Sequence, residues 1–365
     1  MLNSKLFYLL ALLSLFSACG KEDPATVIKP IQGVIDLPKT GQTVVYETGD
    51  NGTYQVGITW PASRFTVNDD TIVDNLTGLM WEKSQSTESF TWADVFTRVS
   101  AVNTAELGGY NDWRVPNRKE LMSLVHYGID NPLGWLGLQG FANLQHIKPY
   151  WTSTTQTNSA DNAWGINMGQ GSMGVYAKTI THYVLLVRGT ANGPARLPKT
   201  GQTTLYLSGD DGALQAGEAW PNPRFINNSD VTMTDTLTGL IWERTPSTTA
   251  YACWSEAFER IAFLNSSRLG GHADWRLPNV YELESLSSQT QYTITDYLNA
   301  NDFAIPPALL NARYWSSTTY GTGNTSAWIF LMNRGGVSFS AKGTKTTVCE
   351  SGSVNVYVMA VRGGS

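Results

Sequence analysis

Apolar residues at helical spacing mark two helices in the first half of the chain. Trp92, Val95, Phe96, Val99 and Val102 recur every three or four residues, which places them on one face of a helix. Thr91 and Asp94 at its start have the spacing of a capping box, in which two side chains satisfy backbone N–H groups the first turn leaves open. A second helix is predicted after Pro116, with Asn117 as N-cap, Glu120 three places on, and Leu121 and Leu124 as its apolar positions. The period then changes. Residues 163–168 and 174–177 flank the turn Gly169-Gln170-Gly171 and predict a β-hairpin, and residues 182–187 supply a last apolar strand. Elsewhere Gly, Asn, Asp and Pro at close intervals break the chain into short strands and loops. Helices early and a hairpin sheet late predict an α+β domain rather than alternating βαβ units.

The whole pattern occurs twice. Leu37-Pro38-Lys39-Thr40-Gly41-Gln42 returns as Leu197-Pro198-Lys199-Thr200-Gly201-Gln202, and Gly49-Asp50-Asn51-Gly52 as Gly209-Asp210-Asp211-Gly212. Trp60-Pro61 with Arg64-Phe65 returns as Trp220-Pro221 with Arg224-Phe225, and Leu76-Thr77-Gly78-Leu79 with Trp81-Glu82 as Leu237-Thr238-Gly239-Leu240 with Trp242-Glu243. Asp112-Trp113-Arg114 and Pro116-Asn117 return as Asp274-Trp275-Arg276 and Pro278-Asn279, and Tyr150-Trp151 as Tyr314-Trp315. The copies close on Val187-Arg188-Gly189 and Val361-Arg362-Gly363. The helical stripes return too, as Trp254, Phe258, Ile261 and Leu264, and as Asn279 with Glu282, Leu283 and Leu286. The repeat sets the domains at 37–189 and 197–365, joined by a linker over 190–196. From Trp164 to Arg188 is 24 residues and from Trp328 to Arg362 is 34, so the second copy carries ten more there, Cys349 among them.

Of 13 tryptophans all but Trp135 fall into matched pairs, which marks them as core positions rather than sugar-stacking platforms.

The N-terminus follows different rules. Lys5 precedes an apolar run over 6–16 that ends in Ser17-Ala18-Cys19, the pattern of a secretory signal peptide over 1–18. Leu15-Phe16-Ser17-Ala18-Cys19-Gly20 resembles a bacterial lipobox, with Phe16 where Leu is usual; the alternative is an ordinary signal peptide whose cut happens to fall at a Cys. The resemblance implies lipidation at Cys19, attachment to a membrane through that lipid and, since Gly20 is not Asp, an outer-membrane or cell-surface location. Residues 19–36, with Pro24, Pro30 and no sustained period, read as anchor and tether.

Composition narrows the chemistry. With 42% hydrophobic residues each half can bury a core, and a net charge of -5 leaves no basic footprint for nucleic acid. Apart from Cys19, the cysteines are Cys253 and Cys349, both in the second copy. A loop gained together with a cysteine predicts a disulfide between them in an oxidising compartment. None of His126, His146, His182 and His272 is matched between copies, so a shared histidine mechanism is excluded. The sequence contains no Gly-x-Ser-x-Gly, Walker loop, His-Glu-x-x-His or Cys-x-x-Cys. Asp112 and Asp274 are the best carboxylates for a role, and burial against neighbouring arginines is the simpler expectation. Asp69, Asp70 and Asp74, with Asp230 and Asp235, lack the regular ligand spacing of a calcium loop, and Gly49-Asp50-Asn51-Gly52 reads as a turn. No catalytic residue, metal site or cofactor is expected, and the sequence alone does not identify a ligand-binding residue.

Taken in order, these strings resemble the Lcl (collagen-like protein) C-terminal domain family, and the resemblance covers nearly all of the chain after the signal, twice. It implies two tandem C-type-lectin-like α+β domains, each with two helices and a small, mainly antiparallel sheet. It also implies binding of a glycan or surface partner, since the adhesin that names the family is associated with glycosaminoglycans. The calcium-and-sugar motifs of true C-type lectins are absent here. Copy one has 10 basic and 13 acidic residues and copy two 11 and 14, so no excess of positive charge favours a sulfated polymer. The leading expectation is therefore a lipid-anchored surface adhesin, not an enzyme. The alternative is a non-binding module of an envelope or fimbrial assembly.

Overall fold

The computed structural model describes residues 32–291, 293–345, 349–350 and 356–364. The signal peptide over 1–18, Cys19 and most of the expected tether lie outside them. Among the described residues no helix is long and apolar enough to cross a membrane.

Each copy is an α+β mix. The long helices run Trp92–Thr104 and Trp254–Ser266, and short ones, Arg118–Met122 and Val280–Ser285, follow the matched Pro-Asn pairs of the two copies. The Asn117 and Asn279 side chains cap these short helices in full capping boxes with Glu120 and Glu282. Thr91 caps the first long helix by accepting from the Asp94 N–H. Cys253 stands at the matched place, and there the Glu256 carboxylate reaches back to accept from the Cys253 N–H.

Two further helices were not legible in the periodicity. Gly49-Asp50-Asn51-Gly52 is not a plain turn: Asp50 caps the single-turn helix Asn51–Tyr54, as Asp210 caps Asp211–Leu214. Pro132–Leu138, and Ile294–Asn299 in the second copy, form the other, too short for an apolar stripe to show.

Among the described residues copy one has two small sheets instead of one, and copy two has a third, the pair Thr344–Lys345 with Cys349–Glu350 in its inserted stretch. Phe65–Val67, Thr71–Asp74, Met80–Glu82 and Val187–Arg188 form an antiparallel sheet in that order, and the second copy repeats it with Phe225–Asn227, Thr232–Asp235, Ile241–Glu243 and Val361–Arg362. The predicted hairpin is Ser159–Asn167 with Ser172–Ala177, extended by Tyr150–Gln156. Of the apolar strand expected over 182–187, only its end pairs as a strand; His182 and Tyr183 make isolated bridges to Phe90 and Tyr150. In the second copy Val356–Tyr357 takes that place, parallel to Arg313–Thr319.

The copies are intertwined. Contacts within residues 31–365 make a single compact unit. Ile35, at the end of the expected tether, is 1% exposed, and its N–H donates to Leu237 O in copy two at 2.9 Å. Ala195, in the expected linker, is buried likewise and donates to Leu76 O in copy one. Gly33 and Gly193 lead these contacts, and a Cβ at either would overlap the backbone of Thr238 or Thr77. Beyond them the arms stay crossed. Gln42 accepts the Thr319 N–H at 2.7 Å, Gln202 accepts the Thr155 N–H at 2.7 Å, and each single-turn helix lies on the other copy's sheet.

A shared core fills the space between the copies. Tyr127 packs edge-on against Tyr281 and Trp328, and the Trp164 indole N–H donates to Gln289. Ten of the paired tryptophans are buried, as their pairing predicts, whereas Trp60 and Trp220 are half-exposed. Each fully buried large side chain contributes on the order of 1.5–3 kcal/mol, so this shared core binds the copies to one another strongly.

Candidate functional site

The carboxylates singled out in the sequence turn out to be structural. Asp112 and Asp274 do not pair with the neighbouring arginines, nor are they buried. Asp112, its side chain 54% exposed, holds Arg188 of the closing Val-Arg-Gly at 2.6 Å, and Asp274 holds Arg362 at 2.7 Å. These arginines hold both carboxyls below the usual range. Arg114 and Arg276 turn inward to the capping-box glutamates Glu120 and Glu282. Asp74 accepts from Arg64, the Leu76 N–H and Thr77, and Asp235 repeats the set with Arg224, so both are committed to the core; Asp69 and Asp70 stay at the surface. His126 packs edge-on against Trp60 and Trp135, and His182 lies against Trp151; burial pushes each imidazole down to about 4. Cys253 and Cys349 form the expected disulfide, which ties the inserted loop to the N-cap of the long helix.

A different pair of residues marks the site. Lys178 and Lys342 follow the hairpins of the two copies, and each carbonyl accepts the first N–H of the long helix, that of Trp92 or Trp254. The side chain then folds back across the indole. Lys178 Nζ lies 3.8 Å from the Trp92 ring centre, and Lys342 Nζ lies 3.8 Å from that of Trp254. The crossed arm closes the other side with Tyr206 at 4.7 Å or Tyr46 at 5.0 Å. Such ammonium–ring contacts are worth about 0.5–2 kcal/mol, more as water is excluded. Burial lowers both ammonium groups to about 8, with Asp210 and Asp161 opposing the shift at Lys178, and Asp50 and Glu47 at Lys342.

The two sites differ in what surrounds the ammonium. Lys342 is 8% exposed and donates to Thr319 Oγ1 at 2.8 Å and Asn324 Oδ1 at 2.7 Å. At Lys178 the place of Asn324 is taken by Ala160 of copy one, and that of Glu47 by Leu207 of the crossed copy-two arm. Thr155, matched to Thr319, is 1% exposed and its hydroxyl has no partner among the described residues. The Lys178 ammonium makes no hydrogen bond among them either. The result is a cleft of about 570 Å³ lined by Thr91, Trp92, Ala160, Lys178, Tyr206 and Leu207, among others. Apolar walls around a few polar groups are the usual make-up of a ligand pocket.

A second matched place opens in the other copy. His126 and Trp135 fill the space beside Trp60 in copy one. In copy two Tyr297 takes the place of Trp135 against Trp220, but Ser288 stands at the position matched to His126, and a cleft of about 240 Å³ remains beside Trp220, lined by Gln215 and Thr290.

Sequence reading missed Lys178 because one lysine carries no period. The available signal was the matched Ala-Lys at Ala177-Lys178 and Ala341-Lys342, together with the loss of Asn324 and Glu47 at their counterparts.

No curated protein matches the chain. Residues 70–188 and 231–349 each match the family described as the Lcl C-terminal domain, and these two stretches hold both hairpins, both long helices and both lysines. The chain belongs to the Lcl C-terminal domain family, with two copies of the domain in tandem.

Proposed function

We propose that this protein is an exported surface protein, held to a membrane by lipid on Cys19, that binds a glycan or another surface component and catalyses no reaction. The cleft at Lys178 carries this reading. It is open, rimmed by aromatic and hydroxyl groups, and contains an ammonium that meets no hydrogen-bond acceptor among the described residues. The lipobox-like run at 15–20 supplies the anchor, and the acidic balance removes nucleic acid as a partner.

A glycan array and a cell-adhesion assay with the purified protein test the binding. Ligands that bind in the array and compete in adhesion are expected; blank results in both would remove the support, and a stoichiometric envelope partner captured alongside them would favour the structural role. Membrane attachment is tested separately, since Cys19→Ser is expected to release the protein into the soluble fraction.

A further inference from the structure

We propose that the charges buried between the copies choose the partner: the seam surface of copy one is built to take copy two and to reject a second copy one, and that of copy two likewise rejects its own kind. How the two copies find each other does not depend on what the protein binds.

The seam is a pseudo-dyad whose contacts recur at matched positions. Lys119 of copy one donates to the Glu284 carbonyl, to the Glu284 carboxylate and to Ser287 Oγ of copy two. Tyr281 of copy two, matched to Lys119, places its hydroxyl on the Met122 and Val125 carbonyls of copy one, which are matched to Glu284 and Ser287. The arms obey the same symmetry, with Gln42 on the Thr319 N–H and Gln202 on that of Thr155. The charges do not. Arg118 lies 3.4 Å from the Glu284 carboxylate, whereas Val280 stands at the place matched to Arg118. Asp211, in the single-turn helix of copy two's arm, accepts from the Thr154 and Thr200 hydroxyls at 2.7 Å and acts electrostatically on Arg118. Its twin in copy one is Asn51, a neutral amide. One side of the dyad thus holds Arg118, Lys119, Asp211 and Glu284, all buried, and the other Val280, Tyr281, Asn51 and Met122.

Each possible pairing buries a different charge. Burial lowers Arg118 only to about 10 and Lys119 to about 8, and raises Asp211 to about 6, so near neutral pH the cations keep their protons and Asp211 has lost its own. At these positions copy one contributes two cations and no anion, and copy two, with its arm, two carboxylates and no cation. Copy one on copy two therefore closes neutral. Two copies one from different chains would bury four cations, with Asn51 and Met122 in place of the carboxylates, and two copies two would bury four carboxylates. A buried charge without its partner is costly, whereas a buried pair replaced whole by apolar residues is often lost at little expense, so stability alone does not account for these four residues. Fixing which surfaces pair is the best-attested use of buried polar groups. The short linker then acts between chains, because it raises the local concentration of the second copy and so favours closure within one molecule.

The test changes the seam charges in the full chain and reads assembly near neutral pH, by native mass spectrometry and thermal melting after refolding. A cationic chain carries Asp211→Asn, Val280→Arg, Tyr281→Lys and Glu284→Met. An anionic chain carries Asn51→Asp, Arg118→Val, Lys119→Tyr and Met122→Glu. A neutral chain carries Arg118→Val, Lys119→Tyr, Asp211→Asn and Glu284→Met, and every substitution in the three chains introduces the residue of the matched position. The neutral chain is expected to refold as a monomer and to melt above Glu284→Gln, because no charge is left unpaired. The cationic and anionic chains should each fail to reach the native monomer alone. Refolded together, they should give a complex of one chain of each kind, in at least about tenfold excess over the self-assembly of either, since like charges brought together at an interface are strongly disfavoured. The proposal is overturned if either like-charged chain alone refolds to a monomer that melts like the parent, or if the mixture folds no better than its components. It is overturned as well if the neutral chain does not fold, for then the charges hold the seam together instead of choosing its partner.

Discussion

The two copies share one layout of elements, yet each is open where the other is filled. Beside the long helix, copy two surrounds its lysine with Asn324, Thr319 and a disulfide-tied loop, whereas copy one leaves a cleft. Beside the half-exposed tryptophan the order reverses: copy one sets His126 and Trp135 against Trp60, whereas copy two has Tyr297 in the place of Trp135 but only Ser288 in that of His126, and a cleft remains at Trp220. The seam diverged in the same way. Arg118 and Lys119 of copy one face Val280 and Tyr281 at the matched places of copy two, and their counter-charge, Glu284, stands where copy one has Met122. Once duplicated domains exchange arms they become halves of one body. Each half is then free to lose what the other supplies, so the differences fall at the shared surfaces while the tryptophan core remains the same.

The hardest test of that intertwining is a chain containing one copy alone. Without its partner's arm, the surface around Trp92 and the strand Tyr150–Gln156, and the faces of Tyr127 and Trp164, are exposed to water. Neither half is expected to melt cooperatively as a monomer; each should unfold or pair with itself. A monomeric half that sediments and melts like the intact chain would break the comparison.

Next in size is Glu284→Gln, which leaves Arg118 and Lys119 buried without their counter-charge. Arg118 also donates to the Gly335 carbonyl, but that neutral oxygen does not replace the carboxylate. Breaking a buried pair on one side costs about 3–5 kcal/mol. Denaturant unfolding should show a loss of that order, and a loss below about 1 kcal/mol would mean that water reaches the seam.

Cys349→Ser removes a cross-link across a sequence separation of 96 residues. Disulfides are typically worth about 2–4 kcal/mol, chiefly by restricting the unfolded chain, and a span this long belongs at the upper end. The substitution should lower stability by about that much and increase hydrogen exchange around Lys342, leaving Lys178 unchanged. Equal loosening at both lysines would show that the loop does not act on copy two alone.

Much of this was legible in sequence because it is local. Capping residues, helical stripes and the glycine-rich hairpin turn act within a few positions of themselves, and they reappear in the structure at Thr91, Asn117 and Gly169-Gln170-Gly171. The Cys253–Cys349 pairing was legible because a loop and a cysteine were gained together. The exchange of arms was not. Gln42 has a backbone N–H to accept whether its arm lies on its own copy or on the other, so the same string encodes both arrangements. Gly33 and Gly193 are a matched pair that sits upstream of the dense repeat, in segments whose composition reads as tether and linker. The candidate site escaped for a related reason: its signal lies in differences between the copies, at Ala160 and Leu207, whereas a search for repeats looks for what the copies share.

The smallest effect separates the two lysines by access alone. Both ammonium groups are lowered to about 8 by burial, so titration alone does not set the two amines apart. Only the neutral amine acylates. An ordinary lysine titrates near 10.4, so at pH 8 it is neutral in only about 1 molecule in 250, against about half for either of these. Dilute acylating reagent should therefore label Lys178 ahead of exposed surface lysines, with a rate that climbs to about pH 8 and then levels, while ordinary lysines keep climbing. Lys342, with the same titration but enclosed by Asn324, Thr319 and the tied loop, should label slowly at every pH. The stability that accompanies this has a definite sign. Between about pH 8 and 10.4 the unfolded chain holds protons that the folded chain has released, so stability rises with pH across that window. Mass-spectrometric mapping of the labelled sites reads both lysines in one experiment. Equal labelling of Lys178 and Lys342 would mean that the copies do not differ in access and that the open cleft is no more available than its twin.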